Sequence, residues 1–143
     1  MKYRTEKHES GFLRIICIKA FGNVKEGEYG GLIESEKNLS QNGEAWVYGE
    51  ARVSGEAWVS GKAQVSGEAR VSGEAQVYGE ARVSGKAQVS GEAQVSGEAQ
   101  VSGKAQVSGE AQVSGEAEVY GNALVYGDAM PIVTGKQIGR AHV

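Results

Sequence analysis

Four glutamates recur at an 18-residue interval, Glu56, Glu74, Glu92 and Glu110, with no lysine interrupting the series. Carboxylates held one above another could bind a cation along an edge. In water, neighbours one strand spacing apart repel by only about 1 kcal/mol, so a solvated acidic edge is the plainer expectation. Other reactive groups are sparse. The chain has two histidines, His8 in a polar N-terminal segment and His142 near the C-terminus, and neither joins a His/Cys cluster with metal-ligand spacing. The single cysteine, Cys17, lies in an apolar run, which suits a core thiol better than a nucleophile. Glu34 and Glu36 stand two apart in "ESE", without the apolar surroundings that a catalytic carboxylate pair needs. "KEGEYGG", at 25–31, is glycine-rich but lacks the Lys-Ser/Thr of a phosphate loop, and reads as a turn. The residues alone therefore predict no catalytic site and no cofactor, and at most a weak cation-binding edge at the four glutamates.

Bulk properties narrow the partners. The chain has 143 residues and a formal net charge of −3, so the basic footprint of a nucleic-acid binder is missing. One cysteine excludes an internal disulfide and fits a reducing compartment. No run approaches the roughly 20 apolar residues of a membrane span, and "MKYRTEKHES" has no secretion-signal core.

The elements that would position any chemistry fall into three parts. In residues 1–42, "FLRIICIKA" (12–20) reads as a buried strand, 21–31 as turn-rich, and "LIESE" (32–36) as a second short strand. Residues 43–126 are fourteen consecutive hexads with the consensus Gly-Glu-Ala-Gln-Val-Ser. Ala and Val stand two apart in each, the spacing of one strand face. Glycine every sixth residue and the missing 3.6 period exclude a helix. The composition alone would suit a disordered tract, but disorder does not keep Ala and Val in strict phase. About four strand residues and a two-residue corner make one flat side. Three sides close a triangular coil of 18 residues, and fourteen hexads give about 4.7 coils. Stacking would follow the strand spacing of roughly 4.8 Å. Since each coil is one such unit, gaining or losing 18 residues should leave the fold intact.

An aliphatic residue followed four positions later by a small one, as in Val47 and Ala51, Val53 and Ala57, on to Val119 and Ala123, resembles the hexapeptide-repeat left-handed β-helix. That resemblance implies an all-β, single-stranded left-handed parallel β-helix. A right-handed solenoid of the bactofilin type is the alternative architecture. The superfamily includes acyltransferases that use a histidine between subunits and carbonic anhydrases that use three metal-binding histidines. The repeat here has no histidine. "FGNVKEGEYGGLIESEKNLSQNGEAWVYG", at 21–49, is similar to the start of small phage- and prophage-encoded hexapeptide-repeat proteins. This implies a location in the cytoplasm of a bacterial host or on a virion.

Residues 18 apart should stack into outward ladders. One is Trp46, Gln64, Arg82, Gln100, Glu118; the second is Arg52, Arg70, Gln88, Gln106, Leu124; the third is Trp58, Gln76, Gln94, Gln112. Large outward side chains gather at the ends, with Trp46, Tyr48 and Trp58 first and Tyr120, Leu124 and Tyr126 last. An end coil has unpaired edges. Residues 1–42 are therefore expected to cap the first coil and bury part of Trp46 and Trp58. Residues 127–143 form an irregular tail: Pro131 takes a Val position, the next glycine falls at 135, and 134–143 are expected to lie loose. The last seven residues, "QIGRAHV", are encoded in order by CAG ATC GGA AGA GCA CAC GTC, which all but for its first base looks like a common sequencing adapter. Residues 137–143 are thus expected to be adapter read-through on a truncated frame.

The sequence reading is a non-catalytic structural or interaction scaffold with a protein partner. The alternatives are an acyltransferase-like enzyme without a recognisable site and an ice- or polysaccharide-binding solenoid. No outward face carries a continuous apolar strip, so a monomer or weak oligomer is expected, although the resemblance implies trimers.

Overall fold

The corner of each hexad shows why this sequence coils. Ser54 O accepts a hydrogen bond from Ala57 N at 3.2 Å, closing a β-turn whose first central residue, Gly55, has φ +63°. Positive φ at that position is the requirement of a type II′ turn, and glycine meets it without a Cβ clash. The same turn recurs at each hexad as far as Ala123 N to Tyr120 O. Between corners only the Gln-Val pair counts as strand, two residues in place of the expected four, because Ser and Ala already belong to the turns.

In the computed structural model the described residues are 1–125, together with the backbone of Ile132–Thr134 and Gln137–Ile138. Every third hexad returns to the same sheet. Arg52 pairs with Arg70, Trp46 with Gln64 and Trp58 with Gln76, all parallel and 18 residues apart. Three parallel stacks result, and the fold is the all-β solenoid that the hexad phasing predicts. Inside, every repeat Ala and Val from Ala45 to Val125 is fully buried. Burying one Val contributes about 1.5–3 kcal/mol, so the thin core gains its stability by repetition.

The N-terminal segment is more ordered than its composition suggests. Strand β1 (Tyr3–Lys7) runs antiparallel to β2 (Leu13–Cys17), which runs antiparallel to β3 (Tyr29–Ile33). The polar segment 1–10 is thus a hairpin arm, and Tyr3 is fully buried. Strand β3 starts three residues before "LIESE" because Gly30 and Gly31 lie flat on the first coil. A Cβ on Gly30 would meet Val47 O at 2.6 Å, and one on Gly31 would meet Ala51 O at 2.7 Å.

β3 also begins the cap, pairing parallel with Arg52 and Val53 so that the solenoid grows from the antiparallel sheet. The first coil's carbonyls that face away from the second coil need donors, and the cap supplies them. Leu32 N donates to Ala51 O, Glu34 N to Val53 O and Ser40 N to Val59 O. Where no backbone reaches, side chains do. Asn38 Nδ2 donates to Gly55 O and Ala57 O, while its Oδ1 accepts from Glu34 N and Ser35 N. Lys2 Nζ donates to Ala45 O at 2.8 Å, and Arg14 donates to Gly49 O at 3.3 Å. Gln41 borders β1 from outside, its Oε1 accepting from Lys2 N and Tyr3 N and its Nε2 donating to Tyr3 O.

The cap buries Trp46 completely, with Phe21 and Tyr3 edge-on to its indole at 5.4 and 6.2 Å. Trp58 stays half exposed, at 51%, where the cap meets its strand through the Leu39–Val59 bridge and the Asn38 contact with Ala57 O. The C-terminal segment departs from expectation. Ile132–Thr134 pairs with Gln112–Ser114, and Gln137–Ile138 with Glu118–Val119, so the chain keeps to its sheets although the interval lengthens from 18 residues to 20 and then 19. Backbone pairing does not require the Ala/Val phase. The rest of 126–143, including His142 and most of the segment read as adapter-derived, lies outside the described residues.

Stacked glycines leave no room at the corners. A Cβ on Gly91, whose φ is +66°, would sit 2.8 Å from Gly109 N. Gly91→Ala therefore meets a left-handed backbone penalty of about 1–2 kcal/mol together with a clash against the next coil. Urea unfolding should show at least that loss, while Ser90→Ala, whose backbone contacts survive, should stay within about 0.5 kcal/mol of wild type.

Candidate functional site

A concave surface follows the ladder below Trp46. Gln64, Arg82, Gln100 and Glu118 line its floor, and the corner column Glu44, Lys62, Glu80, Glu98 and Glu116 forms one wall. Loop 21–24 and Tyr48 close its upper end, and the groove encloses about 940 Å³. Its wall is stacked by the backbone: Glu44 N donates to Gly61 O, Lys62 N to Gly79 O, Glu80 N to Gly97 O and Glu98 N to Gly115 O. The side chains are thus carried one per coil at the strand spacing. Five glutamates face two cations, Lys62 and Arg82, so the groove is acidic with its positive charge toward the capped end.

The capped end is built on a buried cation. Lys2 is 7% exposed, and its Nζ lies 5.1 Å from the Phe21 ring centroid as well as on Ala45 O. Phe21 in turn holds Trp46, so the head of the groove depends on the N-terminal strand. The turn that overhangs it is local: Val24 N donates to Phe21 O at 2.7 Å, and Phe21 N to Val24 O at 3.1 Å. Tyr48 is half-buried here, and burial, aided by the Glu28 charge, pushes its phenol above the usual range.

The residues singled out in the sequence lie elsewhere. Glu56, Glu74, Glu92 and Glu110 form an exposed corner column outside the groove, stacked as expected through Glu56 N to Gly73 O, Glu74 N to Gly91 O and Glu92 N to Gly109 O. Among the described residues, no group of three or more His, Cys, Asp or Glu is close enough to hold a metal ion. His8 lies in the β1–β2 turn, its Nδ1 accepting from Ser10 N at 3.1 Å. Cys17 is buried against Lys19 O, and burial raises its thiol pKa. Glu34 accepts from Gly55 N at 2.6 Å and serves a corner of the first coil, while Glu36 is exposed. Of segment 25–31 only 25–28 is the expected turn, with Lys25 N donating to Glu28 Oε1, whereas 29–31 belong to β3.

Sequence reasoning missed the groove wall. The column from Glu44 to Glu116 follows from the same 18-residue arithmetic, but the overhang of loop 21–24 and Tyr48 that makes a groove of it has no periodic signal.

Architecture and site together define a parallel β-solenoid repeat protein with a polar groove on one sheet and a side-chain cap on its first coil. Residues 75–91, one coil short of a residue, match a family model described as the YdcK beta solenoid repeat. No curated protein matches the chain. Among the described residues, no helix is long and apolar enough to cross a membrane.

Burial pulls the Lys2 ammonium down to about 8, against a smaller opposing effect of Cys17. An unfolded lysine keeps its proton to about 10.4. Between those values the unfolded chain binds the extra proton, so this group makes stability rise with pH. Below about 8 both states are protonated and the slope vanishes. Cys17 and Tyr3, both raised by burial, act oppositely at high pH. Comparing urea midpoints of wild type and Lys2→Met removes those shared contributions. Wild type should gain on the variant between pH 8 and 10, and parallel curves would place Lys2 in a solvated setting.

Proposed function

We propose that this solenoid is a non-catalytic interaction scaffold, a rigid ruler whose ladders of outward side chains engage a protein partner. The observation that carries the reading is the division between inside and outside. The inward Ala and Val positions hold one size throughout the repeat and are fully buried. Variation is confined to outward positions, which the backbone holds at a fixed pitch. The groove below loop 21–24 is one such surface and suits an extended partner segment that carries positive charge along most of its length. The similarity of 21–49 to phage- and prophage-encoded hexapeptide-repeat proteins supports work in a bacterial host cytoplasm or on a virion.

Repeat histidines supply the chemistry of the acyltransferases and carbonic anhydrases that share this kind of coil, and this repeat has none. The purified protein should show no transfer from acyl-CoA or acyl carrier and no bicarbonate dehydration above background. Turnover that survives His8→Ala would overturn the reading. Sedimentation at low micromolar concentration should give a monomer or a weakly associating species, and a tight trimer would move the functional surface to a subunit interface.

A further inference from the structure

Two departures from the hexad consensus meet on the sheet that leads into the groove's charged corner wall. Trp58 stands where the same ladder has Gln76, Gln94 and Gln112, and Tyr78 stands where its column has Ser60, Ser96 and Ser114. The two aromatics are 20 residues apart in sequence. The coil brings them together: Trp58 pairs with Gln76, and Ser60 N donates to Val77 O beside Tyr78. Trp58 and Ser60 form the upper row of a small plaque, and Gln76 and Tyr78 the lower. These four residues line a hollow of about 290 Å³. Trp58 is 51% exposed and Tyr78 36% exposed. Tyr78 leans toward the following coil, its hydroxyl donating to Gln94 Oε1 at 3.5 Å.

Nothing in the fold calls for these rings. Glutamine and serine fill the equivalent positions in later coils without disturbing strand or turn. Together the half-exposed indole and phenol leave adjoining apolar faces in water that a partner can cover. The hollow's chemistry selects its occupant. Its lining carries no charged side chain, in contrast to the groove on the neighbouring sheet. It offers two aromatic faces, one amide that both donates and accepts, and one hydroxyl. A ring with an apolar C–H face and a rim of hydroxyls satisfies all of these at once. The face packs on the aromatic, and the rim exchanges hydrogen bonds with Gln76 and Ser60.

We propose that Trp58, Ser60, Gln76 and Tyr78 form a binding subsite for a neutral pyranose sugar, presented as part of an oligosaccharide. The Gln94 and Gln112 amides continue the same ladder and extend the subsite along the solenoid axis. The proposal stands apart from the scaffold reading and from the groove, because it draws on a different sheet.

The test uses the whole chain and two substitutions to the repeat's own consensus, Trp58→Gln and Tyr78→Ser, which later coils show to be compatible with folding. The probes are cellohexaose, chitohexaose, maltohexaose and mannohexaose, each titrated to 10 mM. Trp46 is fully buried, so a fluorescence change on binding reports Trp58. At least one probe should bind wild type in the millimolar range or tighter, as a shallow site of this size permits. Isothermal titration, which does not depend on the indole as reporter, should show Trp58→Gln weakening that binding at least tenfold and Tyr78→Ser at least threefold. Sugar binding unchanged in Trp58→Gln, or no binding by any of the four, overturns the assignment. So does a wild-type dimer in sedimentation that Trp58→Gln dissolves, since the plaque would then be a contact between two copies of the chain.

Discussion

Each coil is held by hydrogen bonds to the coil before and the coil after it, and the fixed interval of those bonds governs everything else. Gln, Ser and Glu N–H groups of one coil donate to Ala, Val and Gly carbonyls of the next, as in Gln76 N to Ala93 O and Glu74 N to Gly91 O. For the ladder to continue, backbones must stack at strand spacing even at the corners. There a Cβ would come within about 3 Å of the next coil, so the corner residue is glycine. The interior is then a narrow column that the repeat fills with Ala and Val, and that the cap continues with Ile33 above Val53 and Leu39 above Val59. Sameness is the consequence of one hydrogen-bond spacing imposed on every hexad.

A ladder of this kind has to start somewhere. At the first coil there is no preceding hexad: β3 and Ser40 supply part of the missing backbone, and side chains with the right donors supply the rest. Asn38 satisfies two carbonyls with its amide nitrogen and two N–H groups with its oxygen, standing in for a corner. Lys2 and Arg14 do the same with cations, although burying an ammonium is unfavourable, as its lowered pKa records. The antiparallel sheet β1–β3 carries these groups to the edge and lays two glycines flat against the coil. The cap therefore blunts an edge that would otherwise be open to pairing with other chains.

The outward positions are released from these constraints, and the molecule differs along its length only there. On one sheet, overhanging loop and charged corner make an acidic groove. On another, an indole and a phenol replace the glutamine and serine that the repeat would supply. The groove runs from the capped end down most of the solenoid, whereas the aromatic pair lies near the capped end.

The repeat could be read directly, because a period-two apolar phase broken by glycine every sixth residue has one compact solution. Strand ladders, buried Ala and Val, and stacking of Arg52 on Arg70 or Glu56 on Glu74 follow from counting by 18. Tertiary structure decided what counting does not reach. Tyr3 and Lys2 look like parts of a polar tail until β2 pairs with their strand. Asn38 looks like any loop asparagine until the first coil's carbonyls lie beside it. Trp46 and Trp58 occupy the same place in their hexads, yet one is sealed under Phe21 and the other stays half in water. The physical reason is the same each time: periodicity fixes contacts between equivalent residues, whereas a cap joins residues that have no equivalent, and only their meeting in space shows which polar groups need a partner.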